Sequence, residues 1–442
     1  MGRLRDTDDE DEYLEVEEEE CRSPVVVCLS PEPIRKITTV SRVHPVNTVE
    51  DIIESARHFS PLTDPQEIKR LCCEKVPTWK IFQVDPSMLE AEQIVAGLTN
   101  QLFQVSLLQR TSPQSNSPQP TAGSKAVESR KGMEGLVPVK VLFRVYGTAV
   151  GDLYDPEREF AIFRLLSEVE AAPKLFASFP GGRIEEFIKG HSLKKNEMDN
   201  PSVLCAVATV LARFHRLAER LPRVAEFNDE SCHYEPTSTE ALMIQRMKSM
   251  SDSDSADWKK RFTDLPLDAM TKEIPDLLRI LQEDDDHLIL QPAFCHNDVQ
   301  ENNILVSGTR IRLIDFEYSS YNYPAFDIAN FFAEMRMDYC VDQHPYFTHD
   351  VDPANFPDEE LIRLFGSVYM SARCRATILP SHHSLDRFVS IVKKFVLSSH
   401  LLWSFWSIIR FSQANTSGSF DFKAYALSRW QAYLLWKKHI SV

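Results

Sequence analysis

Apolar positions recur along this chain with two different periods. Up to about residue 188 the runs are short and alternating, which predicts strands. Ile94 to Val105 reads as a hairpin, with an apolar start, a turn at Gly97 and a second alternating strand. Val137 to Tyr146 is the next strand, and Pro173 to Phe179 followed by Gly181 to Ile188 predicts a strand, a turn and a strand. Helical spacing at Ile52, Ile53 and Ala56, and again at Ile68 and Leu71, predicts helices between Thr48 and Cys73. Glu159, Phe163 and Leu166 fall at i, i+4 and i+7, so one carboxylate shares an otherwise apolar helix face. Further on, the stripes lengthen. Asn200 and Pro201 are the N-cap and N1 of a helix whose apolar stripe runs through Leu204, Val207, Leu211, Phe214 and Leu217. Ile274 to Leu281 predicts another helix, and Ser307-Gly308 a turn before a strand over Ile311 to Ile314. The apolar run Phe395 to Phe411 is broken by serines, His400 and Arg410, which argues against a membrane span.

Composition adds a size and a compartment. With 442 residues and 43% hydrophobic content, the chain can bury a large core, expected as two lobes around one cleft. Nine cysteines, an odd and scattered set without a C-x-x-C pair, suggest neither zinc nor a disulfide framework and fit a cytoplasmic protein. The N-terminus lacks a basic-then-apolar signal. A net charge of −16 argues against nucleic acid as a partner, although residues 1–20 carry eleven acidic and two basic residues and so much of it. The expected organisation is an acidic, disordered tail over 1–47, a first lobe over 48–188 with a flexible Ser/Pro/Gln-rich insertion at 111–132, and a second lobe over 189–442. Ser249 to Asp257 reads as an exposed linker.

The chemistry concentrates between Phe294 and Glu317. His296-x-Asp298-x-x-x-x-Asn303 precedes the hairpin that ends at Asp315. Phosphoryl transfer needs a carboxylate beside the attacking hydroxyl and oxygen ligands for the magnesium on the nucleotide, and kinase loops supply them as Asp, Asn five residues on, and a later Asp. Asp298 is therefore the candidate base, and Asn303 and Asp315 are the candidate metal ligands. Isolated Asp and Asn more often bond their own backbone in turns; three positions in order with a hairpin between them favour the site. His296 is expected to hold the loop by a buried hydrogen bond, and His215 to be structural. At the first hairpin Gly97 would let backbone approach phosphate, while Thr99 and Asn100 could donate hydrogen bonds to it; no G-x-x-x-x-G-K loop is present.

The residues that follow Asp315 are Phe-Glu-Tyr. Together with His-Asn-Asp-x-Gln-Glu, this stretch resembles the choline/ethanolamine kinase family, and the likeness runs from about Gly97 to the C-terminus. The resemblance implies an α/β (α+β), protein-kinase-like fold with a small antiparallel-sheet lobe and a larger, mainly helical lobe. It also implies transfer of the γ-phosphoryl of ATP to choline with Mg2+, the first step of phosphatidylcholine synthesis, by a homodimer. Arg144 stands where the family grips phosphates, and as the nearest expected cation it is paired here with Glu159. Glu186 to Ile188 would line the adenine, and Gln300 would brace loop and substrate. Asp327-Ile-Ala-Asn330 would tether the catalytic loop, and Glu317 would support it. Three positions depart from the family: Ala96 and Asn302 stand where Gly is usual, and Glu186 where Gln is frequent.

A quaternary ammonium has no N–H to donate, so aromatic faces and a carboxylate must recognise it. Tyr318, Tyr339, Trp403, Trp406 and Tyr425 with Glu334 form that inventory, in the family's order. An aromatic stripe alone is more often core; the catalytic motif reverses that reading. Three other readings stand: ethanolamine as the main substrate, aminoglycoside-type phosphotransfer, and a degenerate kinase kept as a binding partner.

Overall fold

The computed structural model describes residues 64–94, 100–108, 138–146, 156–219, 263–282, 287–413 and 420–440. The expectations for the tail, the 111–132 insertion, the 249–257 linker and helices before residue 64 lie outside these. What is described divides into two hydrophobic cores.

The smaller core belongs to a five-stranded antiparallel sheet. Its strands are β1 (Leu89–Ile94), β2 (Asn100–Leu107), β3 (Lys140–Tyr146), β4 (Leu175–Phe179) and β5 (Gly182–Glu186), in the spatial order β1-β2-β3-β5-β4. Period-two alternation sends Val141, Phe143 and Val145 of β3 into this core, together with Phe103, Val105 and Ile184. Helix α1 (Pro65–Lys75), N-capped by Asp64, covers it with Ile68 and Cys72. The opposite face of β3 and β5 is unusual in burying charge: Arg144 and Arg183 are cross-strand partners, and both are buried. Helix α2 (Pro156–Glu168) carries Glu159, while its Ile162, Phe163 and Leu166 join the larger core.

The larger core is helical. Helix α3 (Pro201–Phe214) starts as its sequence predicts, with Asn200 accepting from the Ser202 amide at 2.9 Å. Helix α4 spans Leu267–Leu281 and carries Pro275 inside, so it begins earlier than the predicted Ile274. The catalytic segment lies among short strands: β6 (Ala293–Cys295), β7 (Ile304–Ser307), β8 (Arg310–Leu313) and β9 (Ser320–Asn322), with Gly308 at φ 60° turning β7 into β8. Every residue of α5 (Pro324–Glu334) is buried. Helices α6 (Glu359–Cys374), α7 (Ser384–Gln413) and α8 (Phe422–His439) complete the lobe, α7 packing on both α5 and α8. By length and composition alone residues 384–412 could cross a membrane, yet 83% of the apolar window is buried inside the protein.

Close backbone approach constrains Gly182 in the sheet. A Cβ on Gly182 would lie 2.1 Å from the Arg144 carbonyl oxygen and 2.4 Å from the Phe179 ring. Gly182→Ala must therefore spread β3 from β5 and is expected to cost about 1–3 kcal/mol, read as a lower thermal midpoint. An unchanged midpoint would mean that this sheet yields more easily than its packing indicates.

Candidate active site

The catalytic loop is held by buried polar contacts rather than by regular structure. Asp327 in the first turn of α5 is wholly buried and accepts from the amides of His296 and Asn297, both at 2.7 Å. His215 bonds the same carboxylate at 2.9 Å and the Tyr369 hydroxyl at 2.8 Å. The expected structural role of His215 thus has definite partners. Asn297, at φ 64°, ties itself to the Tyr318 carbonyl, Ser320 and Asn322. His296 donates from Nε2 to the Ile314 carbonyl at 2.9 Å and accepts the Asp298 amide on Nδ1 at 3.3 Å. Burial lowers the His296 pKa, so the ring is a neutral brace, as expected.

These braces place Asp298. The Asn303 side chain donates to both the Asp298 carbonyl, at 3.0 Å, and Oδ2, at 2.7 Å, leaving its own Oδ1 as the atom to offer a metal ion. The Ile314 amide donates to the Asn303 carbonyl at 3.0 Å, which fixes the start of the Asp315 turn against the loop. Asp315 itself has φ 65°, a conformation non-glycine residues rarely hold and one that clusters at functional sites. Burial and the neighbouring Asp315 charge push the Asp298 carboxyl from its ordinary 3.8 up to about 7. Gln300 also hydrogen-bonds Asp298, and its Oε1 accepts from Asn302 at 3.2 Å. Asn302 lies in a 3-10 turn over Glu301–Asn303 and is not among the positive-φ residues. Left-handed backbone in this segment is found at Asn297 and Asp315 instead.

The phosphate-side ion pair needs correcting. Glu159 bonds Arg183, with Nη1 at 2.8 Å, not Arg144. Arg183 also reaches Glu185 at 2.7 Å and lies 3.8 Å above the Phe163 ring. Arg144 holds the other oxygen of Glu185 at 3.3 Å and approaches Asp315 at 3.6 Å. The reason is register. Arg144 and Arg183 are opposed across two strands, so Glu185 must sit between them, and the helix carboxylate meets the guanidinium that remains. Burial alone would raise the Glu185 carboxyl, but Arg183 and Arg144 hold it below its ordinary value. Arg183 and Glu185 escaped the sequence reading, although Arg and Glu at i, i+2 on a predicted strand are the signal. Glu186 is turned to other work: it accepts from the Lys174 amide and pairs with Arg312 of β8 at 3.4 Å. Ile188 is half-buried just beyond β5, and Asn100 opens β2. Gly97 and Thr99 lie outside the described residues.

The aromatic set does converge. Trp403 and Trp406 meet edge-to-face at 5.5 Å on α7, and Tyr318 meets Trp403 the same way at 5.8 Å. Trp406 donates to the Tyr318 hydroxyl and Trp403 to Asn330 Oδ1, both at 2.8 Å. Asn330 in turn donates to the Val299 carbonyl at 3.2 Å, so the tether runs from loop to pocket. The Tyr339 and Tyr425 hydroxyls are 2.9 Å apart, and Tyr339 lies 2.9 Å from Glu334 Oε2. Asp298 is near enough for its charge to act, after burial, on Tyr318, Tyr339 and Tyr425. Sequence reasoning missed Arg429, a fully buried cation paired with Glu334. Its signal was the i+4 spacing from Tyr425 on one helix face. Glu317 does not brace the loop through Oε2, which is buried without a hydrogen-bond partner.

The choline/ethanolamine kinase family model matches residues 91–434. Choline kinase alpha of Mus musculus is 30% identical over 407 residues, spanning 84% of this chain and 80% of its own. The choline/ethanolamine kinase of Homo sapiens is 28% identical over 367 residues, with 81% and 83% covered. A crystal structure of choline kinase from Cryptosporidium parvum is similar at TM-score 0.67 and 31% identity, covering 86% of this chain and 96% of that one. The Plasmodium vivax ethanolamine kinase matches at TM-score 0.61 and 21% identity, over 91% and 97%, and bears on the fold alone.

The raised Asp298 value has a stability consequence. Between about pH 4 and about 7 the folded protein keeps a proton that the unfolded chain has released, so Asp298 lowers stability as pH rises through that window. Asp298→Asn is expected to melt about 2–4 °C above the wild type at pH 8, with the gain shrinking toward pH 4, while turnover falls about a thousandfold. Calorimetric scans at several pH values check it; a pH-independent gain would assign the effect to packing.

Proposed function

The chain belongs to the choline/ethanolamine kinase family, and we propose that it transfers the γ-phosphoryl group of ATP to the hydroxyl of choline, forming phosphocholine. It is an ATP-dependent phosphotransferase that acts on an alcohol, with the α+β kinase-like fold of its relatives. The observation that carries choline as the acceptor is the aromatic set beside Asp298, whose polar atoms are bonded within the protein. Rings with their N–H and O–H groups so tied offer faces to a cation that has no N–H of its own.

In this reading the choline oxygen forms a bond to the γ-phosphorus as the bond to the β-bridging oxygen breaks, and ADP leaves. Asp298 orients the hydroxyl and takes its proton. Proximity accounts for most of the rate, because a loose phosphoryl transition state asks little covalent chemistry of the protein. Arg144, 3.6 Å from Asp315, would meet the phosphates, and Trp403 and Trp406 the ammonium. The donor set fits a magnesium ion: Asn303 Oδ1 and Asp315 offer oxygen only, and Glu317 contributes a buried carboxylate oxygen without a partner beside them. Asn303 and Asp315 would hold the ion, which when bound supplies charge neutralisation on the phosphates. Ethanolamine remains the second reading; its primary ammonium would need acceptors, and Glu334 is the carboxylate within the set. Family resemblance further supports a cytoplasmic homodimer that feeds phosphatidylcholine synthesis, and the six described cysteines, none in a disulfide, are compatible with that compartment.

Product formation from Mg-ATP with choline and with ethanolamine, run beside Asp298→Asn, tests the proposal. Choline turnover that vanishes in the variant is the expected result, and no turnover of either amine by folded protein would sink it. Trp403→Ala is expected to raise the choline KM about tenfold, with the ATP KM within twofold of wild type. Equal rises in both would relocate Trp403 from the pocket to the core.

A further inference from the structure

Glu334 is the carboxylate that hydrogen-bonds the aromatic set, and it already has a cationic partner. Arg429, reaching in from α8 with no exposed surface, pairs with Glu334 Oε1. Its Nε and Nη2 both donate to the Tyr425 hydroxyl, at 3.0 and 2.9 Å. Its Nη1 lies 3.3 Å from His400 Nδ1. A guanidinium only donates, so that nitrogen accepts and the proton of the buried His400 ring sits on Nε2.

The same rule orients the rest. Glu334 Oε2 is an acceptor, so the Tyr339 hydroxyl gives its proton to it across 2.9 Å. Tyr339 then has no proton left for Tyr425, and Tyr425 must donate to Tyr339 across their 2.9 Å contact. A closed, directional ring results: Arg429 to Tyr425, Tyr425 to Tyr339, Tyr339 to Glu334, and Arg429 back to Glu334. Both carboxylate oxygens carry a donor and both phenol protons are committed.

We propose that Arg429 is a specificity-determining positioning residue, which occupies Glu334 so that the pocket favours a quaternary over a primary ammonium. The inference rests on the phosphotransfer reading above. A trimethylated nitrogen asks for ring faces and a compensated field, and the closed ring leaves those undisturbed. A primary ammonium brings three donors and finds its natural acceptor already engaged; leaving such donors poorly matched is where hydrogen-bonding sites discriminate. Arg429 acts through Glu334 and Tyr425 and touches no reacting atom.

The readout is the ratio of kcat/KM for choline to that for ethanolamine. Arg429→Met frees Oε1 and is expected to lower this ratio about tenfold, the size of one charge-assisted hydrogen bond. Arg429→Lys keeps the charge and should stay within about threefold of wild type. Tyr339→Phe frees Oε2 and opens the ring from the other side, so it should lower the ratio by about threefold. Equal losses on both substrates, in folded variants with an unchanged ATP KM, would make Arg429 merely structural and overturn the proposal. If Arg429→Met does not fold, Tyr339→Phe decides: a ratio equal to wild type overturns the ring. Turnover of neither amine by the wild type would fail the phosphotransfer reading instead. Calorimetric titration with tetramethylammonium and methylammonium would then test the ring alone, a preference for the first supporting it and equal binding overturning it.

Discussion

A helix can bury polar side chains only where each meets a partner, and α5 buries three of them. Asp327, Asn330 and Glu334 fall at i, i+3 and i+7, a single face of an otherwise apolar helix. Each fixes a different part of the site. Asp327 clamps the His296 and Asn297 amides, Asn330 joins the Val299 carbonyl to Trp403, and Glu334 closes the network of Tyr339, Tyr425 and Arg429. The catalytic loop and the aromatic pocket are thus referred to one rigid element, which is what a near-attack geometry demands of a two-substrate site. Burial of α5 on all sides, chiefly against α7, gives that face no freedom to shift.

On the sheet side a second charged cluster does comparable work by different means. Arg144, Arg183, Glu159 and Glu185 are all buried, so each charge depends on the others for compensation. Two guanidiniums against two carboxylates leave no surplus within the cluster; its link to the catalytic side is the 3.6 Å approach of Arg144 to Asp315. Arg183 is the structural member, sealed against Phe163 and Tyr146, and it anchors α2 to the sheet. That division leaves Arg144 as the member that reaches Asp315. In the simpler reading of one strand arginine and one helix glutamate, both duties would fall on a single pair.

How much of this was legible in the sequence follows the range of each interaction. The loop from His296 to Asp315 is local, its roles are set by spacing, and its residues lie where the spacing puts them. Asn200 capping α3 and the helical spacing of Trp403 and Trp406 are likewise local patterns. Partner choice is not. That Glu159 meets Arg183 depends on the cross-strand register of β3 and β5, which no single window contains. Arg429 lies 95 positions from Glu334 in the chain, and only the packing of α8 on α7 brings it near. A charged residue within an apolar stripe announces that a partner exists; it does not say which.

Of the two positions where glycine is usual, Ala96 lies outside the described residues and Asn302 lies within them. At Asn302 the backbone follows a 3-10 turn without positive φ, its side chain reaches Gln300, and its carbonyl faces the Ser192 hydroxyl at 3.5 Å. A glycine there would add conformational freedom that the observed turn does not use, so its replacement leaves the Asn303 and Asp298 geometry intact. The strain in this loop resides instead at Asn297 and Asp315, and both are paired: Asn297 through four hydrogen bonds, Asp315 through Arg144. Left-handed backbone is costly to hold, and a chain that had lost its chemistry would have no reason to keep two such residues beside a carboxylate raised to about 7. The retained strain weighs against a degenerate binding protein and for an enzyme.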